Sequence, residues 1–204
     1  MKTYIFIHGG ESFQTHEEYL KWIETTAVEW NLDPFAIKTE KKKWKTEIAN
    51  MLTLNGDIVY LPNFPNPQNA KYSEWKLFFD TWITQIPLTS EIILIGNSLG
   101  GCFLLNYFSE NPKPLPISNI HLIASCIEAG DFTPPINYDF LQKLGDTVHI
   151  WHSEDDMVVP FSIGMELSKI FPEAETHFFE IEKGYGHFHG VEKIEELENI
   201  LSNK

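Results

Sequence analysis

Six apolar runs of strand length recur along the chain, separated by segments whose hydrophobic positions follow a helical period. The runs are Lys2–Ile7, Asp57–Tyr60, Glu91–Ile95, Asn119–Ala124, Thr147–His152 and Thr176–Ile181. Between them, His16–Trp30 places Tyr19, Leu20, Trp22, Ile23, Ala27 and Trp30 on one broad face. Ser73–Ile86 does the same with a stripe containing Trp75, Phe78, Phe79 and Trp82, which reads as core. Trp44–Leu52, the segment after Ser98, Phe161–Phe171 and Val191–Leu201 complete the helices; the last spaces Val191, Ile194, Leu197 and Leu201 at helical intervals. Strands that are apolar throughout and alternate with helices predict an α/β class, a mostly parallel six-stranded sheet inside a three-layer α/β/α sandwich. The expected strand order is 2-1-3-4-5-6, which reverses between the first and third strands and opens a crevice there. No repeat or linker divides the chain, so residues 1–204 read as one domain. Ser125–Leu144 is too short for a large cap over the sheet.

Charge narrows the partners. The formal net charge is -14, and all 15 basic residues are lysines. A nucleic-acid partner needs a basic footprint that this chain lacks. The absence of arginine also removes the bidentate clamp for carboxylates and phosphates, which disfavours highly anionic substrates and, mildly, a thioesterase for CoA-type acyl groups. Lys41-Lys42-Lys43-Trp44-Lys45 reads as a solvated helix face. No apolar run approaches the length of a membrane span, and the start Met1–His8 reads as a first strand rather than a leader. Cys102 and Cys126 sit in apolar company and read as a reduced, buried pair, which fits a cytoplasmic protein.

Gly96-Asn97-Ser98-Leu99-Gly100 carries the chemistry. It is a G-x-S-x-G with an apolar strand directly before it and an apolar helix directly after it. That context lets a sharp strand-to-helix turn lift the serine hydroxyl above the sheet, with Gly96 and Gly100 giving the two backbones room to approach. A serine needs a base, and the base needs an orienting acid. The fifth strand runs into Ser153-Glu154-Asp155-Asp156-Met157-Val158-Val159-Pro160, and the sixth into Gly184-Tyr185-Gly186-His187-Phe188-His189-Gly190. Asp156 is favoured over Asp155 by its spacing to Val159-Pro160, and His187 over His189 by its Gly-His-Phe setting. The order Ser, Asp, His, each after its own strand, is that of α/β-hydrolases. Histidine titrates near neutrality, which suits a general base.

Oxyanion donors are expected from the N–H of Leu99 and from the loop Ile7-His8-Gly9-Gly10-Glu11-Ser12, with Gly10 first and Glu11 second. His8 is expected to shape that loop, His152 to end a strand, and Asp131 and Asp139 to serve turns and caps. Pro62, Phe64, Ile127, Phe132 and Pro135 are candidates to line the substrate pocket, from the proline-rich loops at the strand ends. A metal site on His187, His189 and Asp156 has no supporting ligand pattern, so no metal is expected.

These residues resemble the small cap-less serine hydrolases typified by retinoblastoma-binding protein nine and the bacterial YdeN-like proteins. The resemblance covers nearly the whole chain. It rests on His8-Gly9-Gly10, on Ala70-Lys71-Tyr72-Ser73-Glu74-Trp75, on the serine motif, and on the Asp156 and His187 segments. Lys71 stands where the family pattern has Arg. The resemblance implies an α/β-hydrolase fold, a Ser98–Asp156–His187 triad and no cofactor; it leaves the substrate open. The expected function is cleavage of a small ester, thioester or amide, in the manner of a carboxylesterase. An interaction module on a hydrolase scaffold and an acyltransferase are the rivals. Nothing in the sequence indicates a protein partner.

Overall fold

The computed structural model describes residues 1–27, 44–87, 89, 91–110, 115–135 and 137–202. Its centre is one six-stranded sheet of β1 (Thr3–Ile7), β2 (Ile58–Tyr60), β3 (Ile92–Asn97), β4 (Ile117–Ile123), β5 (Val148–Ser153) and β6 (Glu175–Phe179). All pairings are parallel, and the order is β2-β1-β3-β4-β5-β6. The order reverses between β1 and β3, whose register sets Ile7 beside Gly96 at their C-terminal ends. Loops that leave β1 and β3 there must diverge to opposite sides, which is what opens a crevice in such sheets.

Alternation along each strand explains the apolar runs. Ile5, Ile7, Ile92, Leu94, Ile120, Leu122 and Ile150 feed one buried cluster. Tyr4, Phe6, Ile93, Ile95, Ile123 and Trp151 feed another on the opposite face. Successive side chains point to opposite sides of a strand, so a strand covered on both faces has no polar position to alternate. The first cluster takes Trp75 and Phe79 from α3 (Tyr72–Trp82), Phe103 and Tyr107 from α4 (Leu99–Glu110), and Leu167 from α6 (Phe161–Ile170). The second takes Trp44 and Ile48 from α2 (Trp44–Leu54) and Leu197 and Leu201 from α7 (Glu195–Ser202).

Two expectations are revised. The first helical segment is an α-helix only over His16–Trp22, held by a Thr15/Glu18 capping box, and becomes a π-helix at Ile23–Ala27. It buries none of its residues, and Leu20 is exposed, so it adds no face to the core; Val28, Glu29 and Trp30 lie outside the described residues. The final helix starts only at Glu195, four residues after Val191. A short α5 runs over Asp139–Gln142, with Asp139 in its first turn.

On the α2/α7 face, His121, His149 and His177 form a ladder across β4, β5 and β6. Their rings stack, His121 on His149 with centroids 4.4 Å apart and His177 on Trp151 at 3.7 Å. Burial pushes all three imidazoles below the ordinary histidine range, His177 to about 4 against the opposing pull of Glu175. An unfolded histidine takes its proton near neutrality, and folded His177 only near pH 4, so between those values the unfolded state binds more protons. Stability is therefore full at pH 7 and falls as the pH drops toward 4, by about 2 kcal/mol from His177 after solvent screening. Urea titrations in chelating buffer should show this loss, and a shallower one for His177→Gln. An equal slope in that variant would remove His177 from the account.

Candidate active site

Ser98 occupies the single turn between β3 and α4 with φ +55°, the left-handed region that costs a side-chain-bearing residue energy. Main-chain bonds hold it there: Ser98 N–H donates to Ile123 O at 2.8 Å, and Ser98 O accepts from Gly101 N at 2.9 Å. The glycines make the approach feasible. A Cβ on Gly96 would stand 2.7 Å from Gly101 Cα, and one on Gly100 would run into the carbonyl oxygens of Ile7 and His8. Gly100→Ala should therefore destabilise the fold by about 3 kcal/mol or more, because the obstacle is backbone that cannot turn aside. Chemical denaturation measures this, and a loss within 0.5 kcal/mol, the range of a neutral surface change at roughly that value, would contradict it.

The loop after β1 lies against the serine: a Cβ on Gly9 would be 3.0 Å from Ser98 Cβ. His8 anchors this loop. Its Nδ1 is 2.7 Å from Gly9 O and its Nε2 is 2.9 Å from Phe64 N. A carbonyl only accepts and an amide N–H only donates, so the ring carries its proton on Nδ1. Burial above all, with Lys45 adding and the Gly9 bond opposing, keeps the ring below the ordinary pKa, hence neutral. Glu11 N–H donates to Pro67 O at 2.8 Å and Glu11 O accepts from Ala70 N at 2.8 Å, so the Glu11 amide is already engaged. Gly10 presses on the same stretch, and a Cβ there would be 2.5 Å from Pro67 O. Leu99 opens α4, and its N–H is among those a helix leaves unsatisfied at its start.

Asp156 follows β5 with its carboxylate fully buried. Oδ1 accepts from Val158 N at 2.8 Å and Val159 N at 2.9 Å, and Oδ2 accepts from His187 Nδ1 at 2.8 Å. Burial pushes this carboxyl up, but the His187, Val159 and Val158 bonds together outweigh it and hold it below the usual range. The His187 ring thereby presents Nε2, the nitrogen that Asp156 does not engage. Among the described residues no hydrogen bond joins that ring to Ser98 Oγ.

The neighbouring acid has a different task. Asp155 Oδ1 accepts from Ser153 Oγ and from Gly186 N at 2.9 Å, which braces the loop one residue ahead of the imidazole. Gly184, Gly186 and Gly190 all have positive φ, as does Phe188, so the chain reverses tightly around His187 while His189 stays exposed. Phe188 is buried, and its carbonyl accepts from Trp44 Nε1 at 3.0 Å.

Several supports escaped the sequence. Lys45, read as part of a solvated face, is half-buried and donates to Asn97 Oδ1 at 2.7 Å, beside the serine; Lys41–Lys43 lie outside the described residues. His152 is fully buried, donates Nε2–H to Val159 O at 2.9 Å and so pins the Asp156 turn. Lys71 donates to Phe13 O at 2.7 Å, and Asp131 accepts from Tyr72 N at 2.9 Å at the start of α3. No local pattern flags the Lys45, Lys71 and Asp131 bonds, since each joins segments far apart in the chain.

The pocket candidates divide. Phe64 and Phe132 are 2% and 0% exposed and pack on Trp75, and Ile127 is buried in the same cluster. These three are packed into the core, since loop position does not reveal which side chains turn inward. Pro62 and Pro135 are half-buried.

A parallel sheet in this order, a serine on a left-handed turn after β3, an acid after β5 and a histidine after β6 define the α/β-hydrolase fold. Among solved structures the chain is similar to the ydeN gene product of B. subtilis, at 16% identity and TM-score 0.70, covering 99% of this chain and 97% of that one. It is similar to a predicted CIB-like hydrolase from Thermoplasma acidophilum (17%, TM-score 0.61, 98% and 83% covered) and to an esterase from Exiguobacterium antarcticum (14%, TM-score 0.61, 98% and 90% covered). No family model matches the chain, and no curated protein does. Among the described residues no helix is long and apolar enough to cross a membrane.

Proposed function

We propose that this protein is a serine hydrolase that cleaves a small ester, thioester or amide through an acyl-enzyme, with carboxylic esters the first class to test. The supporting observation is the 2.8 Å bond from His187 Nδ1 to buried Asp156, on the same end of the sheet as the strained Ser98 turn. Asp156 fixes the tautomer that leaves Nε2 as acceptor. Ser98 Oγ gives its proton to Nε2 and adds to the substrate carbonyl. The oxyanion is stabilised by the N–H groups of Leu99 and Gly10. On collapse the leaving group takes the proton from Nε2. Water then attacks the acyl carbon as Nε2 takes its proton, the bond from Ser98 Oγ to the acyl carbon breaks, and Oγ recovers the proton from Nε2 as the acid leaves. Gaps between serine and histidine are common before substrate is bound and close in the complex.

Fluorophosphonate labelling with peptide mapping tests the proposal. Stoichiometric modification of Ser98, with p-nitrophenyl acetate turnover, supports it. A folded protein that neither labels nor turns over ester would move the interaction-module reading ahead, and product transfer to an added alcohol in place of water would make it an acyltransferase.

A further inference from the structure

On the face of the sheet that carries α2 and α7, away from the serine, one group of side chains has no part in the chemistry above. His149, the second residue of β5, pairs with Glu175 of β6, and His177 lies two residues further along β6 on the same side. His149 Nδ1 is 3.2 Å from His177 Nε2 and 3.3 Å from Glu175 Oε2, and His177 Nε2 is 3.7 Å from Glu175 Oε1. A tetrahedral ion bound at about 2.0–2.1 Å holds its donors about 3.3–3.4 Å apart. The two separations from His149 match edges of such a tetrahedron, and His177 and Glu175, 3.7 Å apart through the other carboxylate oxygen, stand close enough for a carboxylate rotation to bring all three residues onto one ion. We propose that His149, Glu175 and His177 form a binding site for a late first-row divalent cation of the zinc class.

The donor set supports this class. Two imidazoles and one carboxylate suit zinc and its neighbours, whereas magnesium and calcium favour oxygen alone. The rings are set in place before any ion arrives: His149 stacks on His121, and His177 on Trp151. Their neighbours supply outer support as well. His149 Nε2 lies 3.2 Å from the Asn119 side-chain amide. An ion on Nδ1 requires the His149 proton on Nε2, and the Asn119 amide accepts it by presenting its oxygen, an interchange its shape permits. His177 then carries its proton on Nδ1, so both rings stay neutral and only Glu175 is charged. Glu175 is 55% exposed at its side chain, which gives an ion a path from solvent and leaves the fourth position to water.

Such an ion joins the edge strand β6 to β5 near their N-terminal ends, opposite the end that bears Asp156 and His187. It serves the fold rather than the reaction.

Isothermal titration of ZnCl2 into tag-free, chelator-stripped protein tests this. One equivalent should bind with micromolar or tighter affinity, MgCl2 should give no binding, and zinc should raise the melting temperature. Glu175→Gln should weaken zinc about tenfold and His177→Gln at least 100-fold, each with an unchanged far-UV spectrum, while His189→Ala should bind as the wild type does. Ser98→Ala should also bind zinc normally, which separates this site from the proposed hydrolase. Absence of one-to-one binding would overturn the proposal, as would wild-type affinity in Glu175→Gln and His177→Gln together. Should His177→Gln fail to fold, the exposed Glu175→Gln variant decides alone.

Discussion

Ser98→Ala is expected to lower the kcat for ester hydrolysis by about 10⁵- to 10⁶-fold, with fluorophosphonate labelling abolished. The magnitude follows from the role. With the oxygen gone, no acyl-enzyme forms, and what remains is the contribution of the oxyanion amides and substrate binding, about 10³- to 10⁴-fold over water. The fold should survive, because Ser98 is held by its main chain to Ile123, Gly101 and Cys102 and its hydroxyl supports none of these bonds. Alanine accepts the left-handed turn no better and no worse than serine. Initial rates against a no-enzyme blank, with thermal melting to confirm the fold, give the answer. A loss of less than tenfold would mean that another group performs the attack.

Asp156→Asn is expected to cost about 10⁴-fold in kcat while leaving the backbone in place. Asparagine keeps an oxygen that can accept from Val158 and Val159, yet it turns an N–H₂ toward His187 and stabilises the wrong tautomer. The adjacent acid provides the contrast. Asp155→Asn retains the oxygen that receives Gly186 N–H and should lose little, whereas Asp155→Ala frees the loop and should lose about 10- to 100-fold, the scale of a misplaced catalytic group. Both effects are read as kcat/KM on one substrate. If Asp155→Asn proved the worse of the two, the assignment of acid and brace would have to be exchanged.

The layers of the fold were legible because they depend on local pattern. Ile92, Leu94 and Ile93, Ile95 alternate between two buried faces, so the run in the sequence is apolar without interruption. Gly96 and Gly100 were legible because backbone crowding at this turn admits little else, and Ser98 through the motif they frame. What escaped was long-range. That Lys45 reaches Asn97, that Trp44 ties down Phe188, and that Phe64 turns inward depend on residues up to 144 positions away. The histidine ladder was hidden for the same reason: His149, Glu175 and His177 share a face only through the β5–β6 register, and their spacing follows no local motif. Asp155 and Asp156 are chemically alike in sequence, and only the direction of each side chain separates orienting a ring from bracing a loop.

The loop beside Ser98 is fastened to its neighbours by the peptide groups of Glu11, Pro67 and Ala70, with the His8 ring and the Ser12 hydroxyl adding bonds to Phe64 and Ala70. Peptide groups are common to every residue. The side chains at half-buried Pro62 and Pro135 take no part in that fastening, so they are at liberty to change. Under the proposed reading, in which Pro62 and Pro135 line the substrate pocket, a protein engineer seeking new substrates would begin at those two prolines and leave the glycines alone.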